Sequence, residues 1–209
     1  MNKSIYLSVD LDYWCASETV WTGATDMLKT IAKWGGPTVM VDDHGDMLEH
    51  INKHPCQLLV NVDAHSDIWN YDAIVRCGRE CDCSNWVNYV RWQQGQEFLW
   101  LHPHAPKSVW EDGACHGDAP NPFYKKNLPS SAWKKASKKR GEFPAAWWKN
   151  VQAVGIAISE DWLDESKYVE DAIRFALRYN IRVPDIEKVG LYRSVNQGLL
   201  KRAKARLRR

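Results

Sequence analysis

The amino-acid sequence predicts an α/β fold built on a largely parallel sheet. Three observations predict it. Short, apolar, often β-branched runs recur along the chain and are too short for core helices. Stretches with helical spacing of apolar residues lie between them. No internal repeat and no clear domain boundary divides the 209 residues, so one domain with one sizeable core is expected over 1–209.

The expected strands are Ile5–Val9, Thr38–Val41, Leu58–Val62, Phe98–Leu101, Val154–Ile158 and Val189–Leu191. A helix over Glu18–Trp34 stops at Gly35-Gly36, where left-handed backbone costs little. A short helix follows over Asp46–Lys53, with Asp46 as its cap. Asp164–Tyr179 carries Val169, Ile173, Phe175, Ala176 and Leu177 as an apolar stripe between charges, and Ser194–Leu207 reads as a basic C-terminal helix. The stretch at about 103–144 is rich in Pro, Gly, Lys and Trp and lacks periodicity. It reads as a surface insertion or lid.

A charged fraction of 26% and a hydrophobic fraction of 44% exclude a disordered chain. No run of about 18 apolar residues is present, so no membrane-spanning helix is expected. No secretory signal is visible, and a cytoplasmic location with reduced cysteines follows as the expectation. Cys77, Cys81 and Cys83 form a C-x3-C-x-C segment, which with Cys115 or His116 offers a zinc site but only half of the usual knuckle. The twelve Trp serve either as core filler or as an aromatic groove for a ligand or peptide. Residues 1–80 carry a net charge of −6 and the remainder +8. The acidic part suits a metal site or a cationic substrate. The basic segments SAWKKASKKR and KRAKARLRR carry no nucleic-acid-binding motif and read as solvated surface.

Three of the expected strands run into acidic clusters. L-S-V-D-L-D supplies Asp10 and Asp12, V-M-V-D-D-H supplies Asp42, Asp43 and His44, and L-V-N-V-D-A-H-S-D supplies Asp63, His65 and Asp67. The carboxyl ends of parallel strands open into one crevice, so three distant segments can converge there. If the strands continue extended, Asp10 and Asp12 share one side, as do Asp63, His65 and Asp67. So many converging carboxylates repel one another unless a cation lies among them. Carboxylate oxygens with a few imidazoles suit Mn²⁺ first, then Zn²⁺ or Fe²⁺.

These motifs carry a family resemblance. D-A-H-S-D resembles the D-A-H-x-D motif of the arginase and agmatinase ureohydrolases, S-V-D-L-D their S-x-D-x-D motif, and D-D-H the end of their G-G-D-H motif. The resemblance implies a three-layer α/β fold with helices on both faces of the sheet. It also implies two Mn²⁺ ions, with Asp10 and Asp63 bridging, His44 and Asp67 completing one ion, and Asp12 and His65 the other. The sequence departs from the family in motif order. The S-x-D-x-D segment comes first here and last in arginases, and Met40-Val41-Asp42 stands where the paired glycines belong. In this it is similar to the small peptide arginases, which convert arginine to ornithine and urea within a precursor peptide. That resemblance is carried by the first third of the chain.

By this reading Asp67 takes a proton from the attacking water. Glu160, with Asp161 beside it, is the candidate carboxylate for the guanidinium, although Glu160 serves equally as a cap for the next helix. His102 or His104 is a candidate proton shuttle to the leaving amine, and Asn85 and Trp86 are candidates to line the substrate pocket. The alternatives are a ureohydrolase for free arginine or agmatine, a haloacid-dehalogenase-like phosphatase suggested by D-L-D alone, and a non-catalytic metal-binding protein. The phosphatase reading leaves D-A-H-S-D without a role.

Overall fold

The computed structural model describes residues 3–15, 21–65, 67, 81, 85–102, 139–140, 143–163 and 165–208. It contains a six-stranded sheet in which every pairing is parallel. The strands are β1 (Ile5–Asp10), β2 (Thr38–Val41), β3 (Leu58–Val62), β4 (Glu97–His102), β5 (Lys139–Arg140) and β6 (Val151–Ala157), in the spatial order β2-β6-β1-β3-β4-β5. The helices are α1 (Asp12–Cys15), α2 (Thr22–Trp34), α3 (Leu48–Lys53), α4 (Ser166–Tyr179) and α5 (Gln197–Arg206), with 3-10 turns between them.

The alternation along β1 explains why its two faces bury different partners. Ile5, Leu7 and Val9 join one apolar cluster with Leu28 and Ile31 of α2, Ile173 and Ala176 of α4, and Leu199 and Ala203 of α5. Tyr6 turns the other way and joins Met47, Ile51 of α3, Leu59, Trp86 and Trp100. All six residues of β1 are buried, as are all five of β3. That accounts for their continuous apolar runs.

The expected β2 and β3 match the observed strands to the residue, and β1, β4 and β6 differ only at their ends. The last expectation fails. Val189–Leu191 is a turn in which Gly190 takes φ +85°, and only Val189 of the three is buried. A single inward valine beside a left-handed glycine is a loop plugged into the core, not a strand. α2 begins at Thr22, and Gly35 closes it at φ 71° with its N–H on the Ile31 carbonyl, as the Gly pair predicts. Most of the expected insertion at 103–144 lies outside the described residues. No helix among the described residues is long and apolar enough to cross a membrane.

Candidate metal centre

β1 and β3 are neighbours, with Ser8 opposite Asn61 and Val9 opposite Val62. Their carboxyl ends therefore deliver Asp10 and Asp63 side by side. β2 is separated from β1 by β6, and His44 must cross that gap. Gly155 on β6 makes the crossing possible. A Cβ built there would lie 2.0 Å from Met47 Sδ and 2.6 Å from the Tyr6 hydroxyl, so the 3-10 turn His44–Met47 rests directly on bare backbone.

The ligands do not share faces through continued extension of the strands, as the sequence suggested. The chain turns instead, in the same way three times. Asp10 Oδ1 accepts the N–H of Asp12 at 3.0 Å, Asp63 Oδ1 that of His65 at 2.7 Å, and Asp43 Oδ1 that of Gly45 at 2.6 Å. Each is a carboxylate accepting from the amide two residues on, which bends the backbone locally. Asp12 consequently opens α1, and Asp67 sits at φ 54° in the left-handed region.

The result is a buried convergence. His44 Nδ1 lies 3.2 Å from Asp10 Oδ2, 3.3 Å from Asp63 Oδ2 and 3.1 Å from Asp67 Oδ2. His65 Nδ1 lies 3.1 Å from Asp12 Oδ2. Two sets have the spacing of metal ligands, Asp10–His44–Asp63 and Asp12–Asp63–His65, and Asp63 belongs to both. The residues fit a cation on two grounds. Asp12 Oδ1 is buried without a hydrogen-bond partner among the described residues, and His44 Nδ1 faces three carboxylate oxygens without a well-directed hydrogen bond to any of them. Neighbouring ligands of an octahedral ion with bonds of about 2.1 Å are about 3 Å apart, the separation found around His44.

The surrounding residues orient these atoms. Ser8 Oγ lies 2.5 Å from His44 Nε2, which leaves Nδ1 facing the carboxylates. Asn61 donates to Asp63 Oδ2 at 3.0 Å, and Ser159, at φ 51°, donates to Asp10 Oδ2 at 2.6 Å. Trp86 stacks on His44 with centroids 4.6 Å apart and donates from Nε1 to Asp67 Oδ2.

Burial, with Asp10 and Asp63 nearby, raises Asp12 to about 8. Burial and Asp63 also raise Asp67. Burial would lower both histidines, but the carboxylates outweigh it, raising His44 and taking His65 to about 10.

Asp10, Asp12, His44, Asp63, His65 and Asp67 are all brought together. Glu160 is not available as expected: Oε2 accepts from the Gly190 N–H and Oε1 from those of Tyr192 and Arg193, so its carboxylate fastens the turn at 190–193. Asn85 and Trp86 are fully buried, and Trp86 packs on His44 rather than on a surface open to substrate. Asp161 is exposed and lines a cavity of about 270 Å³ that also reaches Ser159 and Trp162. The His102 side chain, His104, Cys77 and Cys83 lie outside the described residues.

Sequence reasoning missed Ser8, Asn61 and Ser159, and named Asp43 in its cluster without its turn onto Gly45. Ser8 and Asn61 had a legible signal: each is the one polar residue within a buried apolar run, two positions before a ligand and on its face of the strand. Comparison with family models, curated proteins and solved structures finds no match for this chain.

Proposed function

We propose that the chain is a binuclear metallohydrolase of arginase type, which cleaves the guanidinium of arginine, carried within a peptide, to ornithine and urea. The observation that carries this reading is the pair of ligand sets sharing Asp63 at the carboxyl ends of β1, β2 and β3. The motif resemblance supplies the reaction class and the arginase-like three-layer architecture. Asp10, His44, Asp63 and Asp67 would hold one Mn²⁺, and Asp12, His65, Asp10 and Asp63 the other. When bound, such ions lower the pKa of water and act as Lewis acids.

The protein's own residues do the rest. Ser8 and Trp86 hold the His44 ring on its two sides, and Asn61 and Ser159 aim the carboxylates of Asp63 and Asp10. Asp67 would accept the proton of the attacking water, with Trp86 Nε1 steadying its carboxylate. The test is incubation of Mn²⁺-loaded protein with arginine and with arginine-containing peptides, and assay of urea. Urea from the peptide is expected; none from either substrate sinks the reading. Manganese per chain, by elemental analysis, is expected to approach two.

A further inference from the structure

The cavity next to the ligand cluster has an acidic floor and an apolar rim. Asp42 and Asp161 face it, while Glu160 is already committed to backbone amides. Asp42 is 6% exposed, and its Oδ1 is buried without a hydrogen-bond partner among the described residues. Lys188, a cation in the lining, donates to Asp46 instead. A buried carboxylate oxygen without a donor is costly, and a ligand that brings N–H groups into the cavity relieves the cost.

A bare metal ion suits this place poorly. Among the described residues, ligand atoms converge tightly enough for an ion at the two sets sharing Asp63, and neither contains Asp42 or Asp161. A wider organic cation suits it better, because a planar guanidinium carries several donors and has apolar faces. The rim matches those faces: Trp162, Leu191 and Tyr192 are 56%, 70% and 67% exposed. The cavity also adjoins the ligand cluster through two of its walls. Ser159 donates to Asp10, and the Trp162 ring lies 5.4 Å from that of His65.

We propose that Asp42 is the substrate-binding carboxylate, accepting N–H bonds from the arginine guanidinium in the role the sequence assigns to Glu160, with Trp162, Leu191 and Tyr192 as the rim over which the side chain enters. The proposal rests on the guanidine-hydrolase reading for its choice of arginine.

Binding of N-acetyl-Gly-Arg-Gly-amide and of its neutral citrulline counterpart is measured by calorimetry on the protein without added metal. Urea release and KM are then measured with Mn²⁺. The wild-type protein is expected to prefer the arginine peptide by about tenfold or more, and Asp42→Asn to lose that preference at unchanged metal content. Leu191→Arg, at an exposed position that does not threaten folding, places a tethered cation at the mouth and is expected to weaken the arginine peptide by a similar factor. It decides the matter if Asp42→Asn folds poorly. Wild-type preference retained in Leu191→Arg and in a folded Asp42→Asn, or no preference in the wild type, overturns the proposal. An Asp42-dependent preference without urea removes the hydrolase reading and leaves the subsite. Urea release at unchanged KM in both variants does the reverse.

Discussion

The six candidate ligands were legible because each of their three clusters follows an apolar run, but their geometry was not. The decisive contacts are the carboxylates of Asp10, Asp43 and Asp63 closing on amides two residues ahead. Such turns compete with extension wherever Asp ends a strand, and periodicity does not report them. Trp86 is legible as an aromatic near the site, a candidate for the substrate pocket, whereas it stacks on His44 and donates to Asp67. Trp86→Phe keeps the stack on His44 and deletes the N–H to Asp67. Metal affinity is expected to fall about 10–100-fold, measured by competition with a chelating dye. His50 gives a separate pH effect. Burial, then His54, Arg182 and Lys53, lower it to about 4, and its Nδ1 lies 2.8 Å from the Tyr6 hydroxyl. The unfolded chain, with its histidine near the ordinary value of about 6.5, then binds more protons than the folded one between those limits. Stability is therefore present at neutral pH and lost as pH falls from about 6.5 toward about 4. Denaturant midpoints across that window are expected to fall less steeply in His50→Gln.

At the scale of elements, strands were easier to read than what joins them. β2 and β3 were legible because both faces are largely buried and, apart from Thr38 and Asn61, the runs are apolar. The 189–191 segment misled because an apolar run that plugs a loop into the core has the same composition as a short strand. What holds that loop is Glu160, which the sequence reading assigns to substrate. Glu160→Ala leaves the amides of Gly190, Tyr192 and Arg193 without their acceptor and is expected to cost about 2 kcal/mol or more in unfolding free energy. Gly155 tests the other connection. Gly155→Ala drives a methyl into Met47 and Tyr6, both fully buried. The expected outcome is a loss of about 1–3 kcal/mol, together with weaker metal binding because the turn bearing His44 is displaced. Loss of stability with full metal affinity would show that the turn does not depend on that contact.

For the molecule as a whole, the parallel α/β class follows from the alternation of apolar runs and helical stripes, whereas the order of strands in the sheet does not. Nothing in the local sequence says that β6 inserts between β2 and β1, since that pairing links residues more than a hundred positions apart. If the ligands are clamped by cations, folding and binding are linked. Mn²⁺ at about 100 times its dissociation constant should stabilise the fold by about 2.7 kcal/mol, read as a rise in Tm that EDTA reverses. The position of β6 also sets a timetable. β2 pairs with β6 in the sheet and otherwise has an isolated bridge from Val39 to Arg182. Asp10, Asp12, Asp63 and His65 follow strands that pair with each other, so a growing chain can bring them together early. His44 follows a strand whose partner in the sheet is Val151–Ala157, which is made later. The centre is thus completed by a strand that donates no ligand to it, and a nascent chain stopped before that strand is expected to carry an incomplete site.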